Sequence, residues 1–182
     1  MLFIFLFLLF VIFMAWASHE KTYDNETPAK SPESPVSSGI FFDEDDPKDW
    51  SDYHGQEKLK RFIQLQLDVL KPQKGVKFMI IGPKGRGKTT LFRIIGAKLL
   101  EKRPGRYIEV TPAMMRSKRK VDELMASLRP NDILCIDEVH MLSRPIADTL
   151  LPAVEDGIYP FPEGMRRLPE GVSWIGATTD VG

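Results

Sequence analysis

The sequence predicts an α/β fold, a parallel sheet flanked by helices, over residues 47–182. Three observations predict it. Short apolar runs alternate with helical patterns from residue 57 onward. A glycine-rich loop stands between the first apolar run and the next helical stretch. A later apolar run ends in two adjacent acids, Asp137 and Glu138. Strands that alternate with helices form parallel sheets, and such sheets take ligands at the carboxyl ends of their strands.

The elements follow in order. Glu57 to Leu70 reads as an amphipathic helix, because Leu59, Phe62, Ile63, Leu65, Leu67 and Leu70 share a broad face. Lys71-Pro72-Gln73-Lys74-Gly75 breaks it. Residues 76–81 read as a short buried strand, and Thr89 to Lys102 as a helix. Lys102 and Arg103 suit the negative end of that helix, and Pro104-Gly105 stops it. Arg106 to Val110 is the second strand, Val121 to Leu128 a short helix, and Pro130-Asn131 a turn. Residues 132–136 form the next strand and Ser143 to Glu155 a helix. Gly157 to Gly171 is an excursion rich in proline and glycine, and Val172 to Gly176 returns as a strand.

The loop Gly82-Pro83-Lys84-Gly85-Arg86-Gly87-Lys88-Thr89 fits G-x-x-x-x-G-K-[ST], a phosphate-binding pattern. Glycines let the backbone turn its N–H groups toward a phosphate, and the following helix N-terminus adds a positive dipole end. The candidate nucleotide contacts are Gly82 to Thr89 together with Thr90. Lys88 would neutralise the β- and γ-phosphates, and the Thr89 hydroxyl would ligate Mg²⁺. Asp137 ends its strand beside this loop and would hold Mg²⁺, directly or through water. Glu138 is adjacent and placed to polarise an attacking water as general base. Thr178-Thr179 follow the last strand, where a hydroxyl can reach the γ-phosphate or the water. These residues imply ATP and Mg²⁺ as ligands and ATP hydrolysis as the chemistry.

The formal charge is zero, but it is unevenly spread. Residues 1–17 carry none, residues 18–52 carry −7, and residues 53–182 carry +7 with 22 basic and 15 acidic side chains. A basic globular part suits a nucleotide and a nucleic acid. The single cysteine, Cys135, excludes a disulfide framework within the chain and reads as a small buried hydrophobe. Residues 1–17 are almost uniformly apolar and reach the lower length of a spanning helix, about 17 residues. Ala15-Trp16-Ala17 resembles a signal-peptidase site, yet no Lys or Arg precedes the run. Signal peptide, short anchor and mis-assigned start all stay open. An ATP-hydrolysing domain needs ATP, so a cytoplasmic location is expected, with tethering by residues 1–17 as the alternative. Residues 18–46 are rich in Ser, Pro, Glu and Asp and read as a disordered linker, with order beginning near Trp50 and Tyr53.

The run from Asp132 to Ser143 resembles the Walker B segment of the RuvB family of AAA+ branch-migration motors. Leu151-Pro152-Ala153-Val154-Glu155-Asp156 and Trp174-Ile175-Gly176-Ala177-Thr178-Thr179 resemble later segments of it, and Asp52-Tyr53-His54-Gly55-Gln56-Glu57 resembles its box near the adenine. The likeness covers roughly 47–182 and implies a P-loop NTPase of the AAA+ type. It implies a hexameric ring, ATP with Mg²⁺, and branch migration of DNA junctions. By resemblance, Lys88 and Thr89 serve the phosphates and metal, Asp137 and Glu138 the metal and water, Thr179 the sensor position, and Tyr53 and His54 the base pocket. The chain departs from the family at His54, where an aliphatic residue is usual, at Asp46, where Arg is usual, and at Asp180, where Arg is usual. The excursion from Gly157 to Gly171 is shorter than the family's β-hairpin, which argues against a RuvA-like partner. The arginine finger, helical lid and winged helix of the family would lie beyond Gly182, and on that reading the chain alone turns over ATP slowly.

The basic run Arg116-Ser117-Lys118-Arg119-Lys120 follows the second strand. By the same resemblance its loop faces the ring's channel, where cations track DNA phosphates. A solvated helix start is the bland reading of Arg116, Lys118, Arg119 and Lys120. Two other functions remain in view. A membrane-tethered AAA+ protein remodeller would suit the apolar N-terminus. Its aromatic channel loop is not matched by Thr111-Pro112-Ala113-Met114-Met115-Arg116, and no second histidine follows His140. A nucleotide-binding module without motor activity is the third.

Overall fold

The computed structural model describes residues 46–69 and 74–179. The apolar run 1–17, nearly all of the linker read over 18–46, and Asp180 lie outside the described residues. Helix α1 spans Glu57–Asp68, β1 Lys77–Ile81, α2 Lys88–Lys102, β2 Tyr107–Val110, α3 Lys118–Ser127 and β3 Ile133–Ile136. Then come α4 Arg144–Asp156, β4 Ile158–Phe161, β5 Gly164–Arg167 and β6 Ser173–Thr178. Short 3₁₀ turns occupy Trp50–Asp52, Pro112–Met115 and Val139–Met141.

Four strands form one sheet in the order β1-β6-β3-β2, every neighbouring pair parallel. Both faces are covered, as the near-continuous apolar strands require. Alternation along each strand divides the core in two. Ile133, Cys135, Ile175, Ala177 and Tyr107 pack with Leu91, Phe92, Ile95 and Leu99 of α2 and with Ile63 and Leu67 of α1. Leu134, Ile136, Ile108, Val110 and Trp174 pack with Val121 and Met125 of α3 and Ile146, Leu150 and Val154 of α4. Cys135 is fully buried, and burial pushes its thiol pKa well up, so it stays protonated as a small hydrophobe.

The last strand runs on through Thr178, two residues past its expected end, and two further elements differ more from the sequence expectation. Helix α3 begins at Lys118, a turn before Val121, because Ser117 caps it by accepting from the Lys120 backbone N–H at 3.4 Å. Ion pairs Lys118–Asp122 and Arg119–Glu123 then bridge successive turns. The excursion after α4 contains an antiparallel hairpin, β4 with β5, in register from Ile158↔Arg167 to Phe161↔Gly164. It is fixed by Tyr159, which is fully buried and donates to Asp122 of α3 at 2.7 Å.

The amino edge of the sheet is clamped by charge. Asp132 is fully buried, accepts from the backbone N–H of Arg106 at 3.0 Å and of Arg129 at 2.8 Å, and pairs with the Arg106 guanidinium. Arg106 is partly exposed and also donates to the Ser127 carbonyl, so removing Asp132 costs chiefly the hydrogen bonds to its buried carboxylate, about 1.5–3 kcal/mol. Asp132→Ala is therefore expected to lower the urea midpoint by that amount of stability. A midpoint within error of the parent would show that the pair is not holding β2 to β3.

Candidate nucleotide site

Because the four strands are parallel, their carboxyl ends share one edge, and that edge gathers the candidate residues. β1 leads into the loop 82–87, which closes onto α2 at Lys88. Gly82 donates its N–H to Thr178 of β6 at 3.1 Å, which fixes where the loop leaves the sheet. Gly85 and Gly87 both have φ +76°, a left-handed conformation that L side chains adopt only with strain. Gly87 is needed on a second count, since a Cβ there would lie 2.8 Å from Tyr53 Cε2. Tyr53 is buried against the loop, and its hydroxyl donates to the Arg86 carbonyl at 3.3 Å. His54, the other residue assigned to the base pocket, is exposed.

Lys88 is buried at the first turn of α2, and its Nζ donates to the carbonyls of Gly82 at 2.9 Å and Pro83 at 3.2 Å. Its hydrogen-bond partners among the described residues are neutral carbonyls, so the loop holds an ammonium charge inside it. The α2 N-terminus adds its positive dipole end at the same place. Pro83, Lys84, Gly85 and Arg86 form the exposed rim, and Thr90 is half-buried in α2 behind Thr89.

Asp137 follows the last residue of β3, and its N–H donates to Val110 of β2 at 3.2 Å. Its Oδ1 accepts from the Glu138 N–H at 2.9 Å, and its Oδ2 lies 3.4 Å from the Thr89 hydroxyl. A hydroxyl and a carboxylate so placed are a hard-oxygen pair of the kind Mg²⁺ takes beside phosphates. Glu138 has φ +50°, an uncommon backbone state for a non-glycine residue that clusters at functional sites. Its Oε2 accepts from the Thr179 N–H at 3.2 Å and the Thr179 hydroxyl at 3.1 Å. The structure thus brings Lys88, Thr89, Asp137, Glu138 and Thr179 to one edge, on three different strand ends.

The residues suit a nucleoside triphosphate: a left-handed glycine cradle, a buried ammonium, and a paired hydroxyl and carboxylate. Thr178 and His140 make a further contact at this edge. Thr178 is fully buried, and its hydroxyl lies 2.9 Å from His140 Nδ1. The only signal for His140 was its place two residues after Glu138 in the Walker B-like run.

The basic run lies elsewhere on this edge, beyond β2. Lys118 donates to the Pro160 carbonyl of the hairpin at 2.9 Å, pairs with Asp122 and stands 4.9 Å over the Tyr159 ring. Arg119 bonds Glu123 at 2.9 Å. Arg116 and Lys120 are exposed. Lys118 therefore serves the fold of the hairpin, which weighs against its assignment to a DNA phosphate.

The family model for the P-loop domain of the Holliday junction DNA helicase RuvB matches residues 46–160. The chain belongs to the RuvB P-loop domain family. The Holliday junction branch migration complex subunit RuvB of Wolinella succinogenes is 36% identical over 146 residues, covering 75% of this chain and 42% of that protein. The subunit of the same name from Aliarcobacter butzleri is 33% identical over 159 residues, covering 79% and 45%. The Thermotoga maritima RuvB Holliday junction branch migration motor superposes with a TM-score of 0.57 at 28% identity, covering 74% of this chain and 42% of that one. The chain thus spans less than half the length of these RuvB proteins. Among the described residues no helix is long and apolar enough to cross a membrane.

Proposed function

We propose that this chain binds ATP with Mg²⁺ and hydrolyses it as the ATPase part of a RuvB-type motor acting on DNA junctions. The observation that carries the reading is the convergence of Lys88, Thr89–Asp137 and Glu138–Thr179 on one sheet edge in a chain of this family. Gly82 to Lys88 would wrap the phosphates, with Tyr53 behind the loop keeping Gly87 in place. Thr89 and Asp137 would hold Mg²⁺, which when bound neutralises charge on the β- and γ-phosphates. Glu138 would take the proton of the attacking water. Thr179 would hold the Glu138 carboxylate beside that water.

Self-association into a hexameric ring belongs to the same proposal, because the named relatives are subunits of a branch migration complex. A RuvA-type partner does not, since the hairpin is only four residues in each strand. The test is phosphate release by the full chain alone, with linear duplex, and with a four-way junction. Stimulation by the junction above the duplex supports the reading; equal rates in all three arms would remove DNA junctions from it.

Arg116 and Lys120 are the cations of the basic run offered to DNA. Each phosphate contact contributes about −0.9 to the slope of log affinity against log salt. Arg116→Ala with Lys120→Ala is expected to flatten that slope by about 2 and to weaken all sequences alike. An unchanged slope in a filter-binding salt series would return both residues to a solvated helix start.

A further inference from the structure

We propose that His140 is a positioning residue, whose imidazole fixes the Glu138 carboxylate in the orientation from which it acts. The inference rests on the reading of Glu138 as the base. His140 Nδ1 lies 3.3 Å from Glu138 Oε2 and 2.9 Å from Thr178 Oγ1. The same Oε2 already receives the N–H and the hydroxyl of Thr179. Two hydrogen bonds from Thr179 and the imidazole edge at 3.3 Å therefore converge on one carboxylate oxygen, and no hydrogen bond among the described residues engages Oε1.

The local backbone explains the placement. Glu138 is left-handed, and the 3₁₀ turn Val139–Met141 closes with Met141 N–H on the Glu138 carbonyl at 2.8 Å. That turn buries Val139 and curls His140 back over Glu138. Thr178 is fully buried in β6, with its carbonyl bonded to the Gly82 N–H. The imidazole is thus referenced to the same strand end that sets the start of the phosphate loop.

The ring's tautomer follows from the acceptors around it. A bare Nδ1 could accept from the Thr178 hydroxyl but would set its lone pair toward the carboxylate oxygen 3.3 Å away. An Nδ1–H can donate to Oε2, to Thr178 Oγ1, or be shared between them, and a hydrogen bond to a charged acceptor is the stronger. With the proton on Nδ1, Oε2 keeps its two hydrogen bonds from Thr179 and faces an imidazole N–H 3.3 Å away, and Oε1 is the oxygen left to take a proton from water. Glu138 is only half-buried, so Thr179 alone would leave a carboxylate able to turn about its last torsion. The imidazole removes that freedom. None of the contacts of His140 involves Lys88 or Thr89, so nucleotide affinity should not depend on it.

Two measurements on the full chain test this. In long-range ¹H–¹⁵N spectra without nucleotide, His140 should carry its proton on Nδ1. The chain has three histidines, so the signal is assigned by its loss in His140→Asn. A ring protonated on Nε2 alone would overturn the proposal. The second measurement is single-turnover phosphate release alongside Mg·ATP affinity. His140→Ala should be slower by about 10- to 100-fold, the scale of a misplaced catalytic group, with unchanged affinity. His140→Asn, whose amide N–H can stand near the Nδ1 position, should recover most of the rate. A parental rate in His140→Ala, or an Asn variant no faster than the Ala one, would also overturn it. Should His140→Ala unfold, the spectra and the Asn variant still decide. A parent that does not hydrolyse ATP would instead sink the ATPase reading, while the spectra report on the His140–Glu138 contact independently.

Discussion

Glu138→Gln is expected to keep Mg·ATP bound and to lose its turnover. Glutamine preserves the side-chain length and can still accept from Thr179 through its carbonyl oxygen, so the site should keep its shape. What it lacks is a carboxylate oxygen able to take a proton. Removing a positioned acid or base costs about 10²–10⁴-fold in rate. The structure gives this expectation a specific form. Glu138 is tied to the end of β6 and to the turn after β3, and Lys88 makes none of those contacts. Single-turnover phosphate release should therefore collapse while the binding isotherm stays put. A variant that hydrolyses at the parental rate would move the base to another residue.

The second large effect is on binding. Lys88→Ala is expected to weaken Mg·ATP by about 1.5–3 kcal/mol, roughly 10- to 100-fold in Kd, the worth of hydrogen bonds to a charged group. Lys88 is 8% exposed and rests on two carbonyls of the loop. Its removal withdraws the buried positive charge and leaves those carbonyls without that donor. The fold should tolerate the change, because the loop's path is set by Gly85, Gly87 and the Gly82–Thr178 bond. Unfolding curves that match the parent would separate lost binding from lost structure.

Much of this edge can be read from spacing. Lys88 and Thr89 close a loop whose glycines stand where φ is positive, and Asp137 and Glu138 follow a strand of four buried residues. A strand's end fixes which sheet edge its next residues reach, so those placements follow from periodicity. Tyr53 is different. Its contact with Gly87 spans 34 positions, and only the resemblance pointed to it. The hairpin was opaque for two reasons. Pro160 lies inside β4, and every residue of β5 is exposed, so neither strand shows a clean alternation. Long-range bonds of Tyr159 and Lys118 to α3 and the hairpin supply what the local pattern lacks. The first turn of α3 looked unfavourable because three cations oppose the helix dipole. The Ser117 cap and two ion pairs along the helix outweigh that. The role of His140 depends on a left-handed residue and a 3₁₀ turn, neither of which leaves a mark in composition.

Asp46 shows how a departure from the family can be accommodated. Its carboxylate pairs with Arg93 of α2, which also lies 3.5 Å from Glu109 of β2. Three residues on, Asp49 pairs with Lys98 at 2.9 Å. The segment leading to Tyr53 is thereby laid along α2, the helix that the phosphate loop opens. Asp46 forms a charged tether to α2 because Arg93 supplies the opposite sign.

The most direct test of the account is an equilibrium titration of ATP, with Mg²⁺ and with EDTA, into the full chain and into Lys88→Ala. Saturable binding of one nucleotide per chain is expected, tighter with Mg²⁺ because Thr89 and Asp137 then share the metal, and strongly weakened in Lys88→Ala. Equal isotherms for the parent and Lys88→Ala, or no saturable binding by the parent at millimolar ATP, would contradict it.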